Sequence, residues 1–166
     1  PRPDDYSDQL KVYKVSALVY RCAQLWAESI LQAPMKIYEV GPDREITKEI
    51  TRGDIWDVLD EVNGEMSYHE WMYVNILNMA LTGNSYTWKV RNNLGQVVEL
   101  WPFRADEVEI SYDPLLEPGA KMRYEWRPVS TGGIAGKGGP YMFKSSSILH
   151  LKLPSPISAV YGTSPV

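Results

Sequence analysis

The sequence predicts an α+β fold, with a long N-terminal amphipathic helix and a helix pair packed on a mostly antiparallel β-sheet. Three observations predict it. Up to about Gly83 apolar residues recur every three or four positions, the period of a helix with one buried face. From Asn84 onward they alternate with polar residues, the period of a strand with one packed and one wet face. Helices first and strands afterwards is the order in which α+β domains segregate their elements.

The 166 residues, 44% hydrophobic and 11% aromatic, suit one compact domain that buries roughly 70% of its unfolded surface. That composition excludes intrinsic disorder. A lone Cys22 closes no disulfide, and one Cys with His69 and His150 is too few for a tetrahedral zinc site, so neither metal nor cofactor is expected. No run approaches the ~20 apolar residues of a membrane span. No signal peptide is recognisable, and a reducing cytoplasm is the expected place of assembly. The sequence starts at Pro1 and stops at Pro165-Val166, which reads as a piece excised from a larger protein.

Residues 1–10 are polar, with prolines at 1 and 3, and read as a flexible lead-in to a domain over 11–166. Its helical part covers 11–83, its β-rich part 84–153, and an exit segment 154–166. From Lys11 to Gln32 the residues Val12, Val15, Leu18, Val19, Cys22, Leu25, Trp26 and Ile30 form one apolar stripe, so one long helix is expected, with Cys22 buried on it and Pro34 beyond its end. Residues 35–40 and 44–50 are short strands around Gly41-Pro42-Asp43. A second helix spans 53–62. Ser67 and Glu70 have the spacing of a capping box that opens a third, and Gly83 closes it.

Strands follow at 84–91, 96–103, 106–112, 122–129 and 148–153. Their inward residues include Tyr86, Trp88, Val108, Ile110, Tyr124 and Trp126. Ser130–Pro140 holds five glycines in eleven residues and reads as a mobile hairpin loop. It fails as a phosphate-binding loop, because Thr131 and Gly138 stand where a glycine and a hydroxyl are required and Pro140 sits where a helix should begin.

Charge is uneven. Residues 51–118 carry four basic and twelve acidic side chains, net −8, whereas 119–166 carry six and one, net +5. An acidic middle and a sparse basic end do not make the dense stripe that wraps DNA. Catalytic constellations are equally absent. Glu107 and Glu109 on one strand face, and Asp57, Asp60 and Glu61 on one helix face, sit opposite apolar residues, where solvated charge belongs. His69 and His150 have no triad spacing and read as exposed. Of the six tryptophans, Trp26, Trp56, Trp71, Trp88 and Trp126 fall on apolar stripes, which leaves Trp101 with no assigned face. Two further readings stay open. One is a β-rich aromatic module binding carbohydrate or peptide through Trp101 and tyrosines. The other is an enzyme with a cleft around Glu107, Glu109 or His150.

Three stretches in order carry a resemblance. They are Val19–Ile30 running into Ala33-Pro34-Met35-Lys36-Ile37-Tyr38; Ala80-Leu81-Thr82-Gly83-Asn84-Ser85-Tyr86 with the turn at 92–97 and Leu100–Val108; and Ser147–Lys152 with Tyr161-Gly162-Thr163-Ser164-Pro165-Val166. Together they resemble the portal (head–tail connector) proteins of tailed double-stranded DNA phages, in the long-tailed branch. The positions that carry the motifs are Pro34, Gly83, Asn84, Tyr86, Trp101, Pro102, Gly162, Ser164 and Pro165. Arg104-Ala105 departs from the pattern, where the family often has a proline.

The resemblance implies a structural subunit, without catalysis, of a usually twelve-membered ring at a capsid vertex. DNA enters and leaves through such a ring, and the motor and head–tail joining proteins dock on it. This chain would be its outer wing, facing neighbouring subunits, shell and scaffold, with the stem and clip missing. It would bind DNA weakly, stay a monomer or weak oligomer, and never enter a membrane. It would reside in the virion after assembly in the host cytoplasm.

Overall fold

Residues 6–112, 122–128 and 140–165 are described by a computed structural model of the chain. The expected long helix is two helices, α1 (Tyr6–Val15) and α2 (Ala17–Leu31). Ser16 breaks them apart: its backbone is extended and its hydroxyl accepts the Val19 amide at 3.4 Å, a local bond that competes with helix continuation. The lead-in is likewise corrected from residue 6 onward, because Tyr6 opens α1 and is fully buried. Residues 1–5 lie outside the described residues.

The break also resets which side of the chain faces inward. Residues Ala23 and Ala27 are the buried ones of α2, and Ala23 packs on Ala80 and Leu81. Most of the expected inward stripe faces out: Leu18 is 74% exposed, Val15 82%, and Val12, Leu25, Trp26 and Ile30 are exposed as well, while Val19 packs against the Ala23 cluster. Cys22 is exposed rather than buried. Small side chains let α2 approach its neighbour closely on one line, and the larger residues beside that line are left partly uncovered.

After α2 the chain forms an antiparallel ribbon of β1 (Ile37–Val40) and β2 (Ile46–Ile50). A short α3 (Asp54–Asp60) follows, then α4 (Tyr68–Thr82). The capping box of α4 forms as expected. Ser67 Oγ accepts the Glu70 amide at 3.3 Å, and Glu70 Oε2 accepts the Ser67 amide at 2.8 Å. These bonds hold the Glu70 carboxyl below its ordinary range. Gly83 ends the helix at φ 73°, in the left-handed region.

The strands sort into two further antiparallel sheets rather than one. The first has the order β4 (Val97–Phe103), β3 (Asn84–Arg91), β8 (Ile148–Lys152). The second has the order β5 (Val108–Tyr112), β6 (Met122–Trp126), β7 (Tyr141–Lys144). The glycine-rich segment lies at 129–139, outside the described residues, as does 113–121.

Between the two sheets sits an aromatic core. Phe103 stacks on Trp126 with ring centroids 4.5 Å apart, and Tyr86, Val108, Ile110, Tyr124 and Ile148 surround them. The opposite face of the first sheet is also covered, which corrects the expectation of a wet side. There α4 lies across β3, and Val62, Trp71 and Leu100 form a second cluster. Ser85 and Thr87, read as solvent-facing by alternation, are fully buried. Their hydroxyls donate to Asn75 Oδ1 at 2.5 and 2.9 Å, while Asn75 Nδ2 donates to the Trp71 carbonyl at 2.7 Å. The polar atoms of the Ser85, Thr87 and Asn75 side chains are thereby paired, the condition under which a buried polar contact is tolerated.

Two acidic and aromatic assignments change as well. Glu107 lies in a 3-10 turn over 105–107, is buried, and accepts Trp126 Nε1 at 2.9 Å with Arg104 nearby at 3.7 Å. Glu109 reaches Arg127 at 3.9 Å. Glu107 is thus a bracing group of the aromatic core, not half of a solvated pair. Trp101 is half-buried in β4, opposite Trp88, with its Nε1 on Glu99 at 2.7 Å.

Candidate functional site

The residues that the sequence singles out converge, for the most part, where the C-terminus of α4, the start of β3 and the exit segment meet. Gly83 turns the chain from α4 into β3, and its carbonyl accepts the Leu153 amide at 2.8 Å. The exit segment returns here after 78 intervening positions and crosses Gly83 backbone to backbone. A Cβ on Gly162 would lie 2.1 Å from the Gly83 oxygen, and one on Gly83 would lie 2.4 Å from the Thr163 oxygen. Only two glycines allow this approach.

Asn84, fully buried, stitches the crossing together. Its Oδ1 accepts the Gly162 amide at 2.7 Å and faces His150 Nε2 at 3.1 Å. Its Nδ2 donates to the Tyr6 hydroxyl at 2.9 Å, the Thr82 carbonyl at 2.8 Å and the Gly162 carbonyl at 3.2 Å. Further out, Ser164 Oγ donates to the Leu81 carbonyl at 2.7 Å. One side chain therefore links α1, the end of α4, β8 and the exit segment.

His150, expected on an exposed face, points into this cluster and stacks on Tyr86 with centroids 4.5 Å apart. Because the Asn84 oxygen can only accept, Nε2 carries the proton, and the Tyr124 hydroxyl, 3.3 Å away, donates to Nδ1. Burial, with Lys152 adding to it, pushes the His150 pKa down to about 4. Burial also raises the Tyr124 hydroxyl. At neutral pH the imidazole is uncharged and acts as a bracket.

A pH dependence follows from that shift. An unfolded histidine takes a proton near pH 6.5, whereas the folded one resists until about 4. Stability should be full above pH 7 and fall as pH drops from about 6.5 to about 4, by about 3 kcal/mol at most. Urea titrations across that window measure it, and the His150→Gln variant should lose this part of the slope. An equal slope in both proteins would show that His150 does not titrate as described.

Of the other singled-out residues, Tyr86 is in the aromatic core beside the junction, and Pro165 lies against α2. Pro34, Trp101 and Pro102 are not brought to the junction. Pro34 is exposed between α2 and β1, and Pro102 sits on the edge strand β4, opposite Thr87. Sequence reading missed Tyr6 and Asn75 as polar anchors and gave Tyr161 no role. Tyr161 is buried, and its hydroxyl accepts the Ile110 amide at 2.8 Å, fastening the exit segment to β5. Its signal was its place directly before Gly162 in the last motif.

The arrangement can fix the direction of a chain segment, and it offers little chemistry. Its histidine is neutral, and its hydroxyls and amides are consumed in pairing. No group of three metal-ligating side chains occurs among the described residues, nor any helix long and apolar enough to cross a membrane. Elsewhere, a groove of about 420 Å³ is lined by Asp54, Asp57, Glu61 and Glu99, and Asp54 there accepts Gln96 Nε2 at 2.9 Å. Its open, like-charged walls repel a polyanion such as DNA.

Known proteins bear on this fold. A protein of Rickettsia felis, itself uncharacterized, is 26% identical over 155 residues, covering 93% of this chain and 37% of its own. Among solved structures, the neck of an empty gene transfer agent particle, computed with C6 symmetry, superposes with a TM-score of 0.71 at 21% identity over 96% of the chain. The neck of a native particle, computed with C12 symmetry, gives 0.70 at 23% identity over 98%. In both the matched part is 39% of the other chain, so this chain spans well under half the length of these relatives. The profile of the phage portal proteins matches residues 17–166, a range that holds α2, the strands β1 to β8 and the glycine crossing, and the chain belongs to that family.

Proposed function

We propose that the chain is the outer wing of a phage portal subunit, a structural component of the ring at a capsid vertex through which DNA is packaged and ejected. The single observation that carries this reading is the family match over residues 17–166, in a fold shared with particle necks. Stem and clip belong to the remainder of the longer subunit, consistent with the 39% coverage. In this reading the subunit works in the virion after assembly in the host cytoplasm. Its neighbours are other portal subunits and the capsid or scaffold proteins, while the packaging motor and head–tail joining proteins dock on parts outside the wing. DNA passes through the ring without tight binding to this acidic surface.

The aromatic-module reading loses its footing, because Trp101 is half-buried and bonded to Glu99 and most other rings fill the core. An enzymatic reading finds no support in Glu107 and His150, both held in structural bonds. The test is electron microscopy of the intact protein. Closed rings with a central opening are expected, with weak, salt-sensitive binding of duplex DNA. A protein that stays monomeric at every concentration, or grips DNA tightly at high salt, would overturn the proposal.

A further inference from the structure

We infer that the bare apolar face of α2 is the seat of the segment that follows residue 166 in the longer subunit. The inference rests on the wing reading above and goes beyond it by naming the surface and its occupant. Leu18, Cys22 and Trp26 lie four residues apart on α2, and they are exposed. Over that span the helix rises about 12 Å, and side chains at this spacing form one continuous ridge. Large apolar residues in a row on a helix mark a face that something covers.

The chain itself points to what covers it. Ser164 is tied to the Leu81 carbonyl, and Gly162 to Asn84, so the exit segment is aimed at the seam between α2 and α4. Pro165, itself exposed, borders that seam. With Leu18, Val19, Cys22, Ala23, Trp26 and Ala80 it lines a cavity of about 420 Å³ whose walls are mostly apolar. The charged neighbours Arg21 and Glu28 pair with each other at 3.6 Å and leave the ridge free of charge. The relatives have ample chain to supply the cover, since the matched part is 39% of theirs. Apolar side chains are therefore expected among the first residues after Val166.

Cys22, the one cysteine of these residues, reports directly on the cover. The intact subunit, as dispersed monomers and as rings, is treated with N-ethylmaleimide, and labelling of Cys22 is read by peptide mass spectrometry. In the monomer, labelling should already be slower than in the urea-unfolded protein by on the order of 100-fold. Rapid labelling in both states would overturn the inference. Rapid labelling in monomers with shielding only in rings would overturn it too, by giving the face to a neighbouring copy. Leu18→Asp in the intact monomer is the second measurement. It should lower the melting temperature by about 4 °C or more if the face is covered, and an unchanged melting temperature contradicts the cover. Failure to form rings would tell against the wing reading alone, because the monomer labelling can still be read.

Discussion

Gly162→Ala should destabilise the protein by about 3 kcal/mol or more, lowering its melting temperature by roughly 10 °C. The new methyl would sit 2.1 Å from the Gly83 carbonyl oxygen and 2.8 Å from the Leu153 nitrogen. Both are backbone atoms held in place, since the Gly83 oxygen already accepts that same Leu153 amide. The strain cannot be relieved by a side-chain rotation. The exit segment must lift away, and then the Asn84 and Ser164 bonds lengthen with it. Gly64→Ala is the matched control: nothing lies within 4 Å of its added carbon, and its effect should stay within about 0.5 kcal/mol. Thermal unfolding of the two variants side by side decides the matter. Equal stabilities would mean that the glycine crossing is looser than described.

Asn84→Asp should be nearly as damaging, at about 3–5 kcal/mol near neutral pH. The substitution changes almost no volume. It replaces an NH2 that donates to Tyr6, Thr82 and Gly162 with an oxygen that faces two backbone carbonyls. A charge would be stranded at a fully buried position, beside a histidine that is itself pushed toward neutrality. Tyr6→Phe removes one bond of the same network and should cost only about 1 kcal/mol. Chemical denaturation of both variants gives the comparison. If the aspartate variant costs no more than the phenylalanine variant, Asn84 is not the node that the geometry makes it.

For assembly, both results bear on where the chain heads after Gly162. The junction ties the first sheet, β5 and α4 to the exit segment, so under the proposed function its loosening should disturb ring geometry before it disturbs the aromatic core. Tyr161 and Ser164 are the outlying ties of that junction, one to β5 and one to α4.

Much of this was legible in the residues themselves. The capping box at Ser67 and Glu70 and the left-handed Gly83 depend on atoms three or four positions apart, and the strand alternation from Tyr86 to Val90 depends on the pleat alone. Such features need no distant partner, so the sequence determined them, along with the α+β order and the family motifs.

What lies on the far side of each element was decided by the tertiary structure. Ser85 and Thr87 look like wet-face residues until α4 brings Asn75 to them, and His150 looks exposed until Asn84 and Tyr124 close around it. The stripe of α2 reads as core because periodicity reports that a face is apolar without reporting which surface meets it. Burial is set by contacts between residues far apart in the chain, 78 positions in the case of Asn84 and Gly162, and local spacing carries no record of them.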